Sequence, residues 1–302
     1  MITSTNIRKK ARNSLSGNWG KGVLIVLLFV LVEFILNLFS SLTALIPLFN
    51  IIISIAILII SVPLSFGLAI SFVKLKRGKE VSGFDFFTLG FNYFSRSWAI
   101  SFRTLLALIV PVIIVIVTTL ALSISISISL SASLFSAADS AIVSTRATID
   151  YEEALLDYME NPSAINKNRL DNAQQVLDSS KTTSPTPVKE SIFPVIIQIL
   201  LLISIFVANF YLVVKSLLYV LSNFIAYDNP ELSAKEVVQM SKNLMQGNRG
   251  NYFILSLSFI GWMILSYFTF GIGLLWLIPY MQVSFVCFYE NLIEENNLSQ
   301  EE

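Results

Sequence analysis

The chain has 302 residues, of which 55% are apolar and 13% are charged, whereas a soluble domain carries roughly 25% charged residues. A soluble protein of this length cannot bury so much apolar surface, so lipid must be the solvent for much of the chain. The formal net charge is zero, with 20 basic and 20 acidic residues, and this gives no general attraction to nucleic acid.

The residue types that most enzymes rely on are scarce. The chain has no histidine, which removes the commonest general base and metal ligand, and Cys287 is its single cysteine. One cysteine cannot form a disulfide or a thiolate metal site within a chain. No phosphate-binding loop or nucleophile-elbow motif occurs. We therefore predict no catalytic, metal or cofactor-binding residues, and an intramembrane enzyme is the least favoured class of function.

Six apolar segments are predicted to cross the membrane as helices, because about 20 residues cover a hydrocarbon core of about 30 Å. In chain order they are residues 22–44, 45–73, 98–138, 192–225, 252–270 and 273–289. The first is longer than a signal-peptide core of roughly 7–15 residues, so we expect it to be retained.

Serine and isoleucine alternate from Ser123 to Ser129, a pattern that by itself is typical of a strand. The stretch continues an apolar helix without a break, and an open strand edge in lipid would leave backbone groups unpaired. A serine hydroxyl in a helix can bond the carbonyl four residues back. We therefore predict helix here.

Lysine and arginine determine the predicted orientation, since cytoplasmic loops carry an excess of these residues. Residues 1–21 hold five basic residues and no acid, and residues 74–103 hold six basic residues and two acids. Residues 139–190 hold nine acids and five bases. The rule predicts that both termini are cytoplasmic and that 139–190 lies outside.

The outside segment is predicted to be a helical hairpin above the bilayer, with its first helix able to continue the third span. Apolar residues recur every seven positions at Ile142, Ile149 and Leu156. A second amphipathic helix, opened by Asn161-Pro162-Ser163, is indicated by Leu170, Ala173, Val176 and Leu177. A Thr/Pro-rich linker at 182–187 then leads back to the membrane. This segment could serve as a docking surface for an extracytoplasmic protein.

An internal repeat links the two ends of the chain. Residues 12–20 read RNSLSGNWG and residues 242–250 read KNLMQGNRG, so Asn, Gly, Asn and Gly match in register. The pattern predicts a short amphipathic helix, a stop at a left-handed glycine, and then a membrane helix. Before the later copy, Ser233 and Glu236 are predicted to form a capping box. The alternative is that both segments are ordinary helix ends that carry cytoplasmic positive charge and are not a true repeat.

A middle copy of the repeat is predicted in degraded form. Four phenylalanines would share one helical face, Ser82 and Asp85 could cap the helix, and Gly90 and Asn92 echo the motif. The phenylalanines are Phe84, Phe87, Phe91 and Phe94. The predicted unit is then a short helix followed by a transmembrane hairpin, three times over.

Two charged residues stand inside apolar runs, where an ionised group costs at least about 2.5 kcal/mol. They are Glu33 and Lys215, with Asn37 and Asn209 as their polar neighbours in sequence. One hypothesis is that Glu33 and Lys215 pair between the first and fourth spans. The alternative is that Lys215 extends to the cytoplasmic surface while Glu33 is protonated or faces a crevice.

Several motifs in the chain resemble a known family. They are GNWGK at 17–21, IAYDNP at 225–230, LSAKE at 232–236 and SKNLMQG at 241–247, followed by GW at 261–262, GIG at 271–273, PY at 279–280 and FY at 288–289. On these motifs the chain resembles the domain of unknown function nine-seven-five family. The resemblance implies a multi-pass protein of the bacterial cytoplasmic membrane, mainly in Gram-positive bacteria. It implies no activity. Members join the third and fourth spans by a short turn, where this chain has 139–190.

The predicted fold is an all-α integral membrane protein. Six transmembrane helices form three hairpins, each preceded by a short cytoplasmic amphipathic helix, with an extracytoplasmic helical hairpin added. The predicted domains are 1–138, 139–190 and 191–302. We expect a non-enzymatic envelope protein that acts through membrane lipids or a protein partner and binds no nucleic acid. The alternative is a transporter of a small solute or lipid, because repeats and intramembrane charge are typical of transporters.

Overall fold

The computed structural model describes residues 3–43, 45–182 and 192–301, and within these ranges all regular structure is helical. The helices in chain order are α1 (Ser4–Leu15), α2 (Trp19–Leu42), α3 (Pro47–Lys76), α4 (Asp85–Asn92), α5 (Phe94–Glu160), α6 (Ala164–Thr182), α7 (Ile192–Ser216), α8 (Ser222–Asp228), α9 (Ala234–Met245), α10 (Arg249–Leu257), α11 (Ile260–Phe268) and α12 (Leu274–Glu301). A 3₁₀ turn at Leu217–Tyr219 lies between α7 and α8. Apart from Thr182, the predicted linker at 182–187 lies outside the described residues.

Five of the described helical segments are long and apolar enough to cross a membrane. They are Trp19–Leu42, Pro47–Lys76, Phe94–Glu160, Phe193–Asp228 and Arg249–Phe268. The sixth predicted span, 273–289, falls in α12, which is helical but is not one of these five. The all-α prediction is confirmed, and the number six stays a prediction.

The serine-isoleucine stretch is helical, as predicted, because it lies inside α5. Ser127 donates its hydroxyl hydrogen to the carbonyl of Ser123 at 2.8 Å, which is the local bond that lets serine remain in an apolar helix. The helix α5 passes the predicted end of the third span at residue 138 and continues to Glu160. Its 67 residues are about three times the roughly 20 needed to cross a bilayer.

The chain divides into two compact units, Met1–Val110 with Leu212–Glu302, and Pro111–Tyr211. In the first unit, each of the short helices α1, α4 and α9 packs against an earlier or later long segment. Helix α4 packs on α3, α9 packs on the 3₁₀ turn and α8, and α1 packs on α12. The first helix of the chain therefore closes against the last.

The two predicted repeat segments have the same backbone turn. Ser16 has φ −59° and ψ 125°, Gly17 has φ 79°, and the N–H of Asn18 bonds the carbonyl of Leu15 at 2.9 Å. This is a type II turn, which requires a positive φ at its third residue and therefore favours glycine there. Gln246 and Gly247 repeat it with φ −64°, ψ 121° and φ 86°. The predicted left-handed stops at both glycines are confirmed.

The helices before these turns bury equivalent positions, 230 residues apart. Helix α1 buries Ile7, Ala11 and Leu15, and α9 buries Val237, Ser241 and Met245. The predicted capping box is present at the start of α9, where Ser233 accepts a hydrogen bond from the N–H of Glu236 while the Glu236 carboxylate accepts one from the N–H of Ser233.

The middle segment is different. Helix α4 begins after Phe84 with no side-chain cap, so the predicted cap by Ser82 and Asp85 is wrong: Asp85 instead pairs with Lys74 at 2.8 Å. Gly90 lies inside α4 and is needed for packing. A Cβ there would lie 2.4 Å from the carbonyl oxygen of Pro63 on α3.

Gly67 forms the other half of this crossing, since a Cβ on it would lie 1.9 Å from the carbonyl oxygen of Phe86 on α4. Helices α3 and α4 thus touch through their backbones, as small residues allow in membrane helices. Of the four phenylalanines predicted to share one helical face, only Phe87 and Phe91 lie in α4, with their rings 4.7 Å apart. Phe84 precedes α4, and Phe94 begins α5 with its ring 6.1 Å from that of Phe91.

In the second unit, the end of α5 and helix α6 are joined by polar contacts. Arg169 of α6 pairs with Glu153 at 3.5 Å and with Asp157. The predicted start of the second helix is confirmed, because Ser163 accepts a hydrogen bond from the N–H of Asn166 at 3.2 Å. The apolar residues at heptad spacing are exposed, so they do not form a seam: Ile142, Ile149 and Leu156 are 64%, 57% and 66% exposed.

The buried positions of this unit instead include Ala147 and Ala154, also seven apart, together with Leu177 of α6. Alanine has the smallest side chain that still favours helix, so it can lie where two helices approach closely. Buried residues therefore do recur at a spacing of seven, but they are the alanines and not the predicted Ile142, Ile149 and Leu156.

Candidate functional site

The polar residues predicted inside the apolar runs have modest local partners. Glu33 of α2 is half-buried and accepts a hydrogen bond from Ser61 of α3 at 3.3 Å. Asn37 and Asn209 are exposed, and each donates to a carbonyl four residues back, that of Glu33 and that of Ile205. Lys215 lies in the last turn of α7. The pairing of Glu33 with Lys215 stays a prediction.

A cluster of charged residues joins the C-terminal ends of α3 and α8 to the middle of α12. The guanidinium of Arg77 donates to both carboxylate oxygens of Asp228, at 2.6 and 2.8 Å, and to Glu290 at 3.0 Å. Tyr289 donates its hydroxyl hydrogen to Asp228 at 3.0 Å, and Lys76 pairs with Glu290. Two planar groups joined by parallel hydrogen bonds form one of the stronger protein ion pairs.

The hydrogen bond to Asp228 raises the pKa of Arg77 despite partial burial. Each charge in the cluster is matched by an opposite one, and the bonds join three separate helices. We interpret the cluster as a structural clamp, because its charged groups pair with one another.

The motif around Asp228 also binds Arg96 of α5. Its guanidinium donates to three backbone carbonyls at the end of α8, those of Ala226, Asn229 and Pro230, at 3.2, 2.7 and 3.0 Å. The last carbonyls of a helix have no partner within the helix and carry partial negative charge. An arginine there satisfies such carbonyls, so Arg96 joins the start of α5 to the IAYDNP segment.

A cavity of about 550 Å³ lies between α1, α11 and α12, and we call it the α1 cavity. One side is formed by Thr5, Arg8 and Arg12, which lie three and four residues apart and so share a face of α1. Aromatic residues of the other elements complete it. They are Trp19, Trp262, Trp276 and Tyr280.

Of the two arginines of this cavity, Arg8 is half-buried and Arg12 is exposed. The Nε of Arg8 is buried and makes no hydrogen bond within the described part of the chain. Neither Arg8 nor Arg12 forms a salt bridge with a described carboxylate. Near them is the hydroxyl of Tyr280, which donates to the carbonyl of Arg8 at 3.5 Å. The arrangement offers donors and positive charge to an anion, next to an aromatic and apolar wall.

From the sequence, Arg8 and Arg12 indicated only the orientation in the membrane, and this site was not predicted. The spacing of Thr5, Arg8 and Arg12 on one face of a predicted helix was a usable signal. What could not be seen was that α1 lies against α11 and α12, some 250 residues later in the chain.

These features define the class: a multi-pass, all-α membrane protein whose short helices pack on the ends of longer apolar ones. The chain belongs to the family described as Protein of unknown function (DUF975), whose family model matches residues 1–296. The resemblance inferred from the motifs is thereby confirmed. A search of the curated proteins and one of the solved structures found no match.

Proposed function

We propose that this chain is a non-enzymatic protein of the bacterial cytoplasmic membrane that acts by binding an anionic phospholipid in the α1 cavity. The observation that carries this proposal is the cavity itself, in which two guanidinium groups, without a carboxylate partner in the part of the chain that the structure describes, lie beside a wall of tryptophan side chains. The family assignment gives no activity with which this conflicts.

The cavity suits an amphiphile in both size and chemistry. A volume of about 550 Å³ is in the range of roughly 300–1,000 Å³ typical of small-molecule sites. Arginine binds phosphate through two parallel hydrogen bonds, and basic pockets between membrane helices on the cytoplasmic side take lipid headgroups. Tryptophan is enriched where hydrocarbon meets the headgroup layer. A phospholipid with its phosphate at Arg8 and Arg12 and its acyl chains along Trp262 and Trp276 would match both the basic side and the aromatic side of the cavity.

The proposed topology has six spans, both termini inside and 139–190 outside, which places the α1 cavity at the inner leaflet. It rests on the distribution of lysine and arginine. In a Cys287→Ser background, Ser163→Cys should react with an impermeant thiol reagent in intact cells and Ser4→Cys should not. Labelling at residue 4 alone would reverse the orientation and place the cavity in the outer leaflet.

The acidic segment 139–190 is proposed to be an accessory unit that could bind an extracytoplasmic protein. Replacing residues 139–189 by a short linker should leave the protein in the membrane and monodisperse in detergent. Aggregation with every linker tested would show that the rest of the fold depends on this segment.

Lipid binding can be measured by the chain's own fluorescence, since three of its four tryptophans line the α1 cavity. In vesicles of phosphatidylcholine, brominated phosphatidylglycerol should quench the protein more than its mole fraction predicts, and brominated phosphatidylcholine should not. Arg8→Gln with Arg12→Gln should weaken this preference at least about tenfold, because a charge-assisted hydrogen bond contributes about 1.5–3 kcal/mol.

Lys9→Gln with Lys21→Gln is the matched control, because both lysines are exposed near the same cavity but do not line it. This variant also loses two positive charges and should keep the preference. Equal quenching by the two brominated lipids, or an equal loss in the control, would contradict a specific site.

A transporter of a small solute or lipid is the second candidate, and the repeated helix-turn-helix segments together with the half-buried Glu33 favour it. Uptake into proteoliposomes distinguishes the two candidates. Time-dependent uptake or lipid scrambling that Glu33→Gln abolishes would support transport, whereas binding without flux supports the first proposal.

A further inference from the structure

A second cavity lies at the place that the repeat relates to the α1 cavity. It has a volume of about 340 Å³ and is formed by α9, the 3₁₀ turn and the start of α5, and we call it the α9 cavity. Its charged lining residues are Arg103, Lys235 and Lys242, and its lining contains no carboxylate.

The two cavities use equivalent positions of their short helices. Adding 230 to Thr5, Arg8 and Arg12 gives Lys235, Val238 and Lys242, all of which line the α9 cavity. The same offset of 230 relates the two type II turns, Gly17 to Gly247. The correspondence thus covers the backbone turn, the buried face and the face that lines a cavity.

The wall opposite the short helix differs between the two cavities. In the α1 cavity it comes from α11 and α12, which follow α1 in the chain. In the α9 cavity it comes from α5 and from Tyr219, which precede α9. Helix α4 is in backbone contact with α3 at Gly67 and Gly90, which leaves no space at that crossing. The repeat therefore relates the cavities through their short helices and turns, and not through the opposite walls.

Three cations that line one cavity repel each other unless an anion lies between them. Within the described ranges, Arg103, Lys235 and Lys242 form no salt bridge with a carboxylate. The neighbouring acid, Glu236, is bonded to Ser233 in the capping box. Lys242 is half-buried, whereas Arg103 and Lys235 are exposed, so all three positive charges are accessible to an anionic ligand.

We propose that the α9 cavity is a second, repeat-related site that binds the phosphate of an anionic phospholipid headgroup through Arg103, Lys235 and Lys242. A lipid is the source of the phosphate because α9, like α1, lies at the end of membrane-spanning helices, where headgroups surround it. The α9 cavity is smaller than the α1 cavity and has no tryptophan in its lining, so it holds the headgroup while the acyl chains lie outside it. This inference does not require the α1 cavity to be occupied.

Native mass spectrometry of the full chain, purified in detergent with phosphatidylglycerol added, counts the anionic lipids that resist removal. The wild type is expected to retain two lipids per chain. Lys235→Gln with Lys242→Gln should lose one of them, and Arg8→Gln with Arg12→Gln should lose the other. Lys9→Gln with Lys21→Gln, which removes two exposed charges outside both cavities, should lose none.

The results separate the two proposals. If the Lys235 and Lys242 variant retains as many lipids as the wild type, the α9 site is wrong while the α1 site stands. If the Arg8 and Arg12 variant retains as many as the wild type, the proposed function fails instead. Lys235→Arg with Lys242→Arg keeps the charge and should keep the lipid, so a loss there would mean that the glutamine variant acts through the fold and would overturn the site.

Inorganic phosphate at matched ionic strength tests the source of the phosphate. It should leave both lipids bound. If it displaces one lipid from the wild type but none from the Lys235 and Lys242 variant, the α9 cavity is a site for soluble phosphate, and the assignment to a lipid is overturned.

Discussion

Gly67→Ala should destabilise the fold strongly, because the added Cβ meets backbone and not side chains. It would lie 1.9 Å from the carbonyl oxygen of Phe86, 2.8 Å from the carbon of that carbonyl and 2.7 Å from the N–H nitrogen of Gly90. Real Cβ contacts essentially never fall under 3.0 Å. Helix α4 must therefore move by at least about 1.1 Å, the difference between 3.0 and 1.9 Å.

The cost of that movement follows from what holds α4 in place. Phe86 is fully buried, and Gly90 is in equally close contact with Pro63, so no change of rotamer relieves the clash. Overpacking of this kind can lower the free energy of unfolding by about 3 kcal/mol or more. The higher helix propensity of alanine offsets at most about 1 kcal/mol of this loss. A net loss of about 2 kcal/mol should lower the melting temperature by roughly 4–8 °C.

The assay is thermal unfolding of the purified protein in detergent, followed by size-exclusion chromatography or fluorescence. Gly261→Ala is the matched control, because nothing lies within 4 Å of a Cβ placed at this glycine of α11. The control should melt at or slightly above the wild-type temperature. If Gly67→Ala melts together with the control, the close crossing of α3 and α4 is wrong.

Three further tests, which use four substitutions, probe other parts of the fold by the same melting assay. Asp228→Asn removes a bidentate ion pair whose partners are about three-quarters buried, and should cost about 1–3 kcal/mol; a change below about 0.5 kcal/mol would contradict the clamp. Glu33→Gln and Lys215→Met should each destabilise more than the double variant if the two charges pair, whereas strictly additive losses would refute pairing. Ser233→Ala should cost about 1 kcal/mol at neutral pH. Hydrogen bonds from Ser233 lower the pKa of Glu236 in the folded protein. The capping box therefore stabilises the fold fully above the ordinary pKa of a glutamate, and this stabilisation is lost as the pH falls through the lowered pKa of Glu236. The destabilisation caused by Ser233→Ala should accordingly be smaller in acid.

Features that depend on a few neighbouring residues could be predicted from the sequence. The capping box at Ser233 and the left-handed glycines at Gly17 and Gly247 follow from local backbone requirements, and they were found as predicted. The helix through Ser123–Ser129 required only the rule that lipid forbids open strand edges. Each of these arguments spans at most about ten residues.

Features that depend on which helices meet could not be predicted. The bond from Arg77 to Asp228 joins positions 151 apart, and the contact of Arg8 with Tyr280 joins positions 272 apart. The predicted cap on α4 is absent because Asp85 pairs instead with Lys74 at the end of α3, 11 positions earlier in the chain. Sequence spacing identifies which residues share a face but not what that face meets, so the ligand-sized cavities appear only in three dimensions.

The closure of α1 against α12 has a consequence for biosynthesis. Helix α1 is made first, but its packing partner begins at Leu274, about 260 residues later. At a synthesis rate of about 5–20 residues per second, the apolar face of α1 waits for roughly 13–50 s. During that time the headgroup layer can cover this face, because an amphipathic helix lies there with its apolar side down. Helix α12 thus completes the packing of α1, and a chain interrupted before α12 would leave the face of Ile7, Ala11 and Leu15 without its main packing partner.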